Sequence, residues 1–470
     1  MNALPEPIRL LLDVPPNEST WNGLCARLHE LPDPEVAELI PALEEKLSGW
    51  PDELRLQPFN SWGTRWAKGE DVPAWSLIRT LRFTGSVPER VLMGDGVAHT
   101  TGLQAIWLHG KAAATLGELS AVKEPLPFKR LMIDSHREEV PASAIEKALQ
   151  SPALQALTDF ALEGCQFTDA EARILAKSPA LSKLLGLTLK NGCLKAPGLK
   201  ALLKSKNLGP LERLDVHNNS LGKPGCREIG ALIAARSLPL RVLRAGGNRS
   251  TSDEFAAFIA LPLPATLREL EWGFQNVTDG PLAQALSSAA FPLLETIDFT
   301  SGSLTAAGLA ALASSPKALN LRSLNLHMNR IGPDGVRALS KGTALGRLEI
   351  LNLAMVDSYP PSGQMGPAVV DLIESPGLSS LHTLALTHIP LGEGVVDALI
   401  DAPARMEKLV SLRLGWTGQT EASIARLCDA LRKGAPRLVE LELSGNIESP
   451  TGDAARAIDA LRAAGVAVSA

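Results

Sequence analysis

Aromatic residues make up only 4% of this 470-residue chain, with a single tyrosine, Tyr359. Its core must therefore come from aliphatic side chains, and hydrophobic residues at 45% can supply a large one. Cysteine is sparse: Cys25, Cys165, Cys193, Cys226 and Cys428 are an odd set with no CxxC pair. That argues against a disulfide framework and for a reducing cytosol. Basic charge is not in excess. With 46 Lys and Arg against 51 Asp and Glu, the net charge is −5, which excludes a general role in coating nucleic acid. No run approaches the roughly 18 apolar residues that span a bilayer, so no membrane contact is expected. The opening MNALPEPIRLLLDVPPNE lacks the basic leader of a secretory or transit signal. A cytoplasmic address is expected, with a secreted effector lacking a signal as the other reading. Motifs of chemistry are missing as well: there is no GxxxxGKS or GxxxxGKT, no HExxH and no GxSxG. GDG (94–96) and GEG (392–394) lack the strand–turn–helix setting of a phosphate loop. No catalytic residue, cofactor or metal is expected.

What is present is repetition. LERLDVHNNSL from Leu211 and LRSLNLHMNRI from Leu321 share the frame LxxLxLxxNxL. The frame recurs from Ile78, Leu103, Phe128, Leu157, Leu184, Leu240, Leu267, Leu294, Leu348, Leu381, Leu409 and Leu438, making about 14 repeats. Successive starts lie 25 to 33 residues apart, and six intervals are 27. In LxxLxL the fourth and sixth positions point to one side of a short strand, and the third, fifth and seventh to the other. Leu214, Val216, Leu324 and Leu326 are thus expected in the core. Asn219, Asn248, Asn329 and Asn446 follow the strand, with Cys165 at the same place; there a side-chain amide can bond backbone groups left unpaired by the turn. Segments 280–289, 307–315 and 334–342 then carry apolar residues at helical spacing behind polar starters.

This period, with a full helix in each repeat, resembles the ribonuclease-inhibitor subclass of leucine-rich repeats. That subclass includes the Ran GTPase activators and the repeat domains of animal innate-immune sensors. The resemblance covers about residues 76–470. It implies an α/β fold, a right-handed horseshoe solenoid of parallel strands lined with helices, and says little about function.

Residues 1–75 do not repeat. Five of the eight tryptophans, Trp21, Trp50, Trp62, Trp66 and Trp75, lie here. Asp33 reads as an N-cap with Pro34 at the first helical position, followed by an apolar face of Val36, Leu39, Ile40, Leu43 and Leu47. A helical cap over the first repeat is expected, because an open solenoid leaves its end core exposed. A faint resemblance to an F-box rests on Leu4-Pro5-Glu6, Val14-Pro15-Pro16 and Trp21, and implies a ubiquitin-ligase adaptor. At the other end, a helix over 453–464 leads to a short apolar tail, VAVSA. The interval of 33 residues places an insertion at 357–367 around Tyr359. It reads either as a neutral length variant or as a binding loop, with a slip of register across it.

Surface is therefore where function is sought. The fifth strand position carries Asp215, Arg244, Glu271, Asp298, Asn325 and Asn352, and the third adds Arg213 and Glu269. They read as mutually neutralising pairs or as polar recognition groups. His217 and His327 share the seventh position four repeats apart, roughly 20 Å, too far to share a metal. Cys165 and Cys193 read as buried structural thiols. The eighth position reads Asn191, Asn218 and Gly247, then Phe274, Ser301, Met328, Met355, His388 and Trp416. The large groups would either form a ridge that binds a partner or fold under the turn. The leading expectation is a monomeric scaffold of bacterial character that binds a protein, not nucleic acid, through the concave face and C-terminal rim. The alternatives are a GTPase activator resembling the Ran activators, whose acidic tail is not seen here, and a secreted effector or ubiquitin-ligase adaptor.

Overall fold

The computed structural model describes residues 4–14, 16–52, 54–58, 61–84, 103–110, 112–126, 128–135, 139–287, 291–357 and 363–470. Tyr359 with its two following prolines, the GDG segment at 94–96 and Pro15 lie outside them. The chain forms two compact units, Met1–Arg249 and Ser250–Ala470.

The first unit begins with α1 (Glu6–Leu12), α2 (Glu18–His29), α3 (Asp33–Leu47) and α4 (Ser61–Ala67). The N-cap of α3 is Pro32, not Asp33. Asp33 sits in the first turn and gives its carboxylate to Arg65 across the cap, at 2.5 Å. All five tryptophans of this segment are buried, each 8% exposed or less. Trp66 and Trp75 stack at 4.7 Å, and Trp21 Nε1 donates to the Leu56 carbonyl at 2.7 Å. Leu56 in turn bridges Thr80 in parallel. The segment is thus hydrogen-bonded onto the first strand, and it buries Ile78, Leu81 and Phe83. Arg55 is almost wholly enclosed there; its Nε donates to the Leu77 carbonyl at 2.8 Å, and Glu44 faces both Arg55 and Arg79.

Seven strands follow in this unit: β1 (Thr80–Thr84), β2 (Ala105–His109), β3 (Arg130–Asp134), β4 (Asp159–Glu163), β5 (Gly186–Lys190), β6 (Arg213–Asp215) and β7 (Val242–Arg244). They pair in chain order and in parallel, so that Leu81, Ile106, Leu131, Phe160, Leu187, Leu214 and Leu243 form one row. The second unit holds β8 (Glu269–Glu271), β9 (Thr296–Asp298), β10 (Ser323–Asn325), β11 (Ile350–Asn352), β12 (Thr383–Ala385), β13 (Ser411–Arg413), β14 (Glu440–Glu442) and β15 (Ala467–Ser469). Its row runs Leu270, Ile297, Leu324, Leu351, Leu384, Leu412, Leu441 and Val468.

Every one of the fourteen frames starts a strand two residues after its first position. Alternation decides this, since a shift of one residue would turn the leucines outward. The expected register slip at 357–367 does not occur: Leu351 pairs directly with Leu384. The extra residues fall in the connection after β11, where added length disturbs no ladder. The VAVSA tail also departs from expectation. It pairs with β14 as a fifteenth strand, covering hydrogen-bonding groups that would otherwise form an open edge.

Leu214, Val216, Leu324 and Leu326 are fully buried, as their frame positions require. The helices of 279–287, 306–314 and 332–340 turn Leu282, Ala285, Leu309, Leu312, Val336 and Leu339 inward. The second unit adds an aromatic knot to its leucines. Trp272 stacks on Phe258 at 4.7 Å, and Phe255 lies between Trp272 and Phe299.

Candidate functional site

The turn that leaves each strand is built from two neighbouring positions. At the ninth, the asparagine amides work as expected. Asn329 Nδ2 donates to the Phe299 and Leu326 carbonyls at 2.8 and 2.9 Å, while its Oδ1 accepts from the Leu304 N–H at 3.1 Å. Asn248 does the same for Val216, Ala245 and the Asn219 N–H, and Asn446 ties Leu414 to Thr417 and Gln419. The ninth side chain therefore turns inward to fasten its repeat to the preceding one.

The eighth residue has to compensate for that inward turn, and its backbone is left-handed. In the first unit Gly110, Gly164, Asn191, Asn218 and Gly247 adopt it at this place, with φ between 51° and 81°, whereas Ser135 at the same place of the Phe128 frame does not. Glycine and asparagine tolerate this region. In the second unit Gly445 shares it, and the same conformation is imposed on Phe274, Ser301, Met328, Met355, His388 and Trp416, with φ of 54° to 59°. Each backbone N–H is held by a carbonyl of the following repeat, as Met328 is by Ala354 at 3.0 Å and Trp416 by Ser444 at 2.8 Å. The side chains cannot fold under the turn. Phe274, Met328, Met355 and Trp416 are 52%, 45%, 40% and 57% exposed, and His388 is exposed as well.

Contacts along this row are made between neighbours. His388 and Trp416 stack almost flat, 9° apart with ring centroids 5.5 Å from each other. His327, half-buried at the seventh position, brings Nε2 within 3.3 Å of Met355 Sδ, and Ser301 Oγ lies 3.8 Å from Met328 Sδ. Burial pushes the His327 imidazole below its ordinary range; Asp298 opposes that shift and His388 adds to it. The proximity of His327 to Met355 joins a seventh to an eighth position one repeat later, a pairing that spacing within one frame does not suggest.

The polar strand positions behave differently. Asp215 is buried, accepts the His217 N–H at 2.9 Å and lies 3.8 Å from Arg244. Arg213 reaches across Gly186 of β5 to pair with Asp159. Asp298, Asn325 and Asn352 each accept the backbone N–H two residues on, from Thr300, His327 and Ala354. These short side chains cap their own strand ends. Glu271, half-buried, is level with Asp298 in the ladder. Cys165 is buried against the Glu163 carbonyl, but Cys193 is exposed, contrary to expectation, because its frame position falls on the loop beyond the turn. Among the described residues, no group of three or more His, Cys, Asp or Glu is placed to hold a metal ion. No helix among them is long and apolar enough to cross a membrane.

A family model described as Leucine Rich repeat matches residues 317–340. No curated protein matches the chain in sequence. Among solved structures, the fold is similar to that in the yeast Rad7 and Elc1 complex, at 13% identity over 89% of this chain and 90% of that one, with a TM-score of 0.52. Lesser likenesses join it to a TLR13–ssRNA13 complex (17% identity, 83% of this chain, 54% of that chain, TM-score 0.33) and to an internalin, InlF, of Listeria monocytogenes (16%, 76%, 88%, 0.37). The repeated frame, the parallel strands that all fourteen copies build and the family match within them show a leucine-rich-repeat fold.

Proposed function

We propose that this chain is a recognition scaffold that binds a protein partner through the eighth-position row of its second unit. One observation carries the reading: Phe274, Met328, Met355, His388 and Trp416 keep large, exposed side chains on left-handed backbone, where the left-handed eighth positions of the first unit are glycine or asparagine. Each such residue costs about 1–2 kcal/mol relative to glycine, and apolar exposure adds a solubility cost. Strain retained at consecutive positions points to a function for the side chains it displays. Aromatic and methionine side chains are enriched at interface centres. The yeast Rad7 structure, which shares the fold, is itself that of a protein complex.

Within the same unit, the neighbouring strand face with Glu271 and Asp298 is a polar border to such contacts, since the Asp298 carboxylate already serves a backbone N–H. Repeats of 27 to 29 residues with a full helix support placement in the ribonuclease-inhibitor-like subclass. Five free thiols support a reducing, cytoplasmic compartment. No observation favours catalysis. The test is affinity capture from the native organism with the wild type, with Phe274→Ala/Met328→Ala/Trp416→Ala and with Glu271→Ala. A partner retained by the wild type and Glu271→Ala but lost by the triple variant supports the reading. A partner captured equally by all three places binding elsewhere.

A further inference from the structure

We propose that His327, Met355 and His388 form a binding site for a soft monovalent metal ion, of the class of Cu(I) and Ag(I). The three residues come from three successive frames, which the ladder holds level through Leu324, Leu351 and Leu384. His327 Nε2 and Met355 Sδ already approach to 3.3 Å, an imidazole nitrogen and a thioether facing each other across one strand spacing. His388 stands at the ridge position one repeat beyond Met355, on the frame whose strand pairs directly with that of Met355.

The donors are held in advance. The left-handed backbones of Met355 and His388 are bonded to the Thr387 and Gly415 carbonyls at 3.0 and 2.8 Å. Trp416 stacked on His388 fixes the plane of that ring.

The donor set selects the ion. Two imidazoles and a thioether are ligands without negative charge, which suits a monovalent soft cation and neither Mg²⁺ nor Ca²⁺. Asp298, the one carboxylate acting on His327, is engaged: Oδ1 accepts the Thr300 N–H at 2.8 Å and Oδ2 accepts Asn325 Nδ2 at 2.7 Å. The site shares Met355 and His388 with the proposed partner row, but its test requires no partner.

The experiment titrates the full chain with Ag(I) in chloride-free, thiol-free buffer. Cys193→Ser is the background throughout, because that exposed thiol would capture the ion itself. Calorimetry gives affinity, and NMR of methyl-labelled methionine gives location. The expected result is one saturable equivalent that moves the Met355 methyl signal. Met355→Leu and His327→Gln should each weaken binding at least tenfold with unchanged circular dichroism, and His388→Gln should weaken it less. A Met355 signal unmoved at one equivalent overturns the site, as does equal affinity in Met355→Leu. Zn²⁺ binding more tightly than Ag(I) overturns the assignment to a soft ion.

Discussion

The indole of Trp416 lies directly over Gly445: a β-carbon placed on that glycine would fall 2.2 Å from the ring. Gly445 is the eighth residue of the next frame, with φ of 74°. The absence of a side chain there lets Trp416 lie flat, with His388 stacked on its other side. Gly445→Ala should therefore displace Trp416 as well as strain the turn. A loss of about 1–3 kcal/mol is expected, read by denaturant unfolding, with a shifted Trp416 indole signal in NMR. An unmoved indole signal would show that the ring does not depend on this glycine.

Met328→Asn separates the two costs of the ridge. Asparagine already occupies this backbone conformation at 191 and 218, so the substitution should stabilise the protein by about 0.5–1 kcal/mol. Partner affinity should fall about tenfold or more. Unchanged affinity together with higher stability would remove Met328 from the binding surface.

Asn248→Ala removes a fully buried amide that serves Val216, Ala245 and Asn219. The carbonyls and the N–H left behind cannot reach water. A cost of about 2–4 kcal/mol follows, measured as a lower unfolding midpoint with an unchanged m-value.

Glu44→Gln tests the join between the N-terminal helices and β1. It leaves the Arg55 guanidinium, 3% exposed, without its carboxylate. Glu44 is itself about a third exposed, so screening reduces the effect to about 1–3 kcal/mol. Faster amide exchange at Leu56, Gln57 and Thr80 should accompany the loss. Deleting residues 1–75 should go further, exposing Ile78, Leu81 and Phe83 and causing aggregation.

His382 makes stability depend on pH. Burial lowers its pKa below the ordinary value of 6.5, outweighing the opposing pull of Glu349, and Arg437 adds to the lowering. The unfolded chain therefore binds the proton more readily than the folded one. Its contribution is fully present above about pH 6.5 and is lost as pH falls below that value toward the folded pKa. Melting temperature of the wild type should drop more steeply between pH 7 and pH 5 than that of His382→Asn. Parallel curves would exclude His382 as the cause.

Strand placement was legible because the side-chain period of a strand is two. Leu214 and Val216 could face the same way only in one register, and the same alternation placed β1 through β14. The role of Asn219, Asn248, Asn329 and Asn446 was legible too, since an amide after a strand has few partners other than the backbone. The charges of the strand face were harder to interpret. Whether Asp298 faces a partner or its own Thr300 N–H depends on strand-end geometry that residue type leaves open. Only the tertiary structure decided that Met328 and Trp416 stand outward on left-handed backbone, that His327 meets Met355, and that residues 467–469 add to the ladder as β15. The physical reason is shared by all three. Each depends on which groups of the next repeat, some 27 to 33 residues along the chain, are brought alongside, and a frame read one repeat at a time contains no such neighbour.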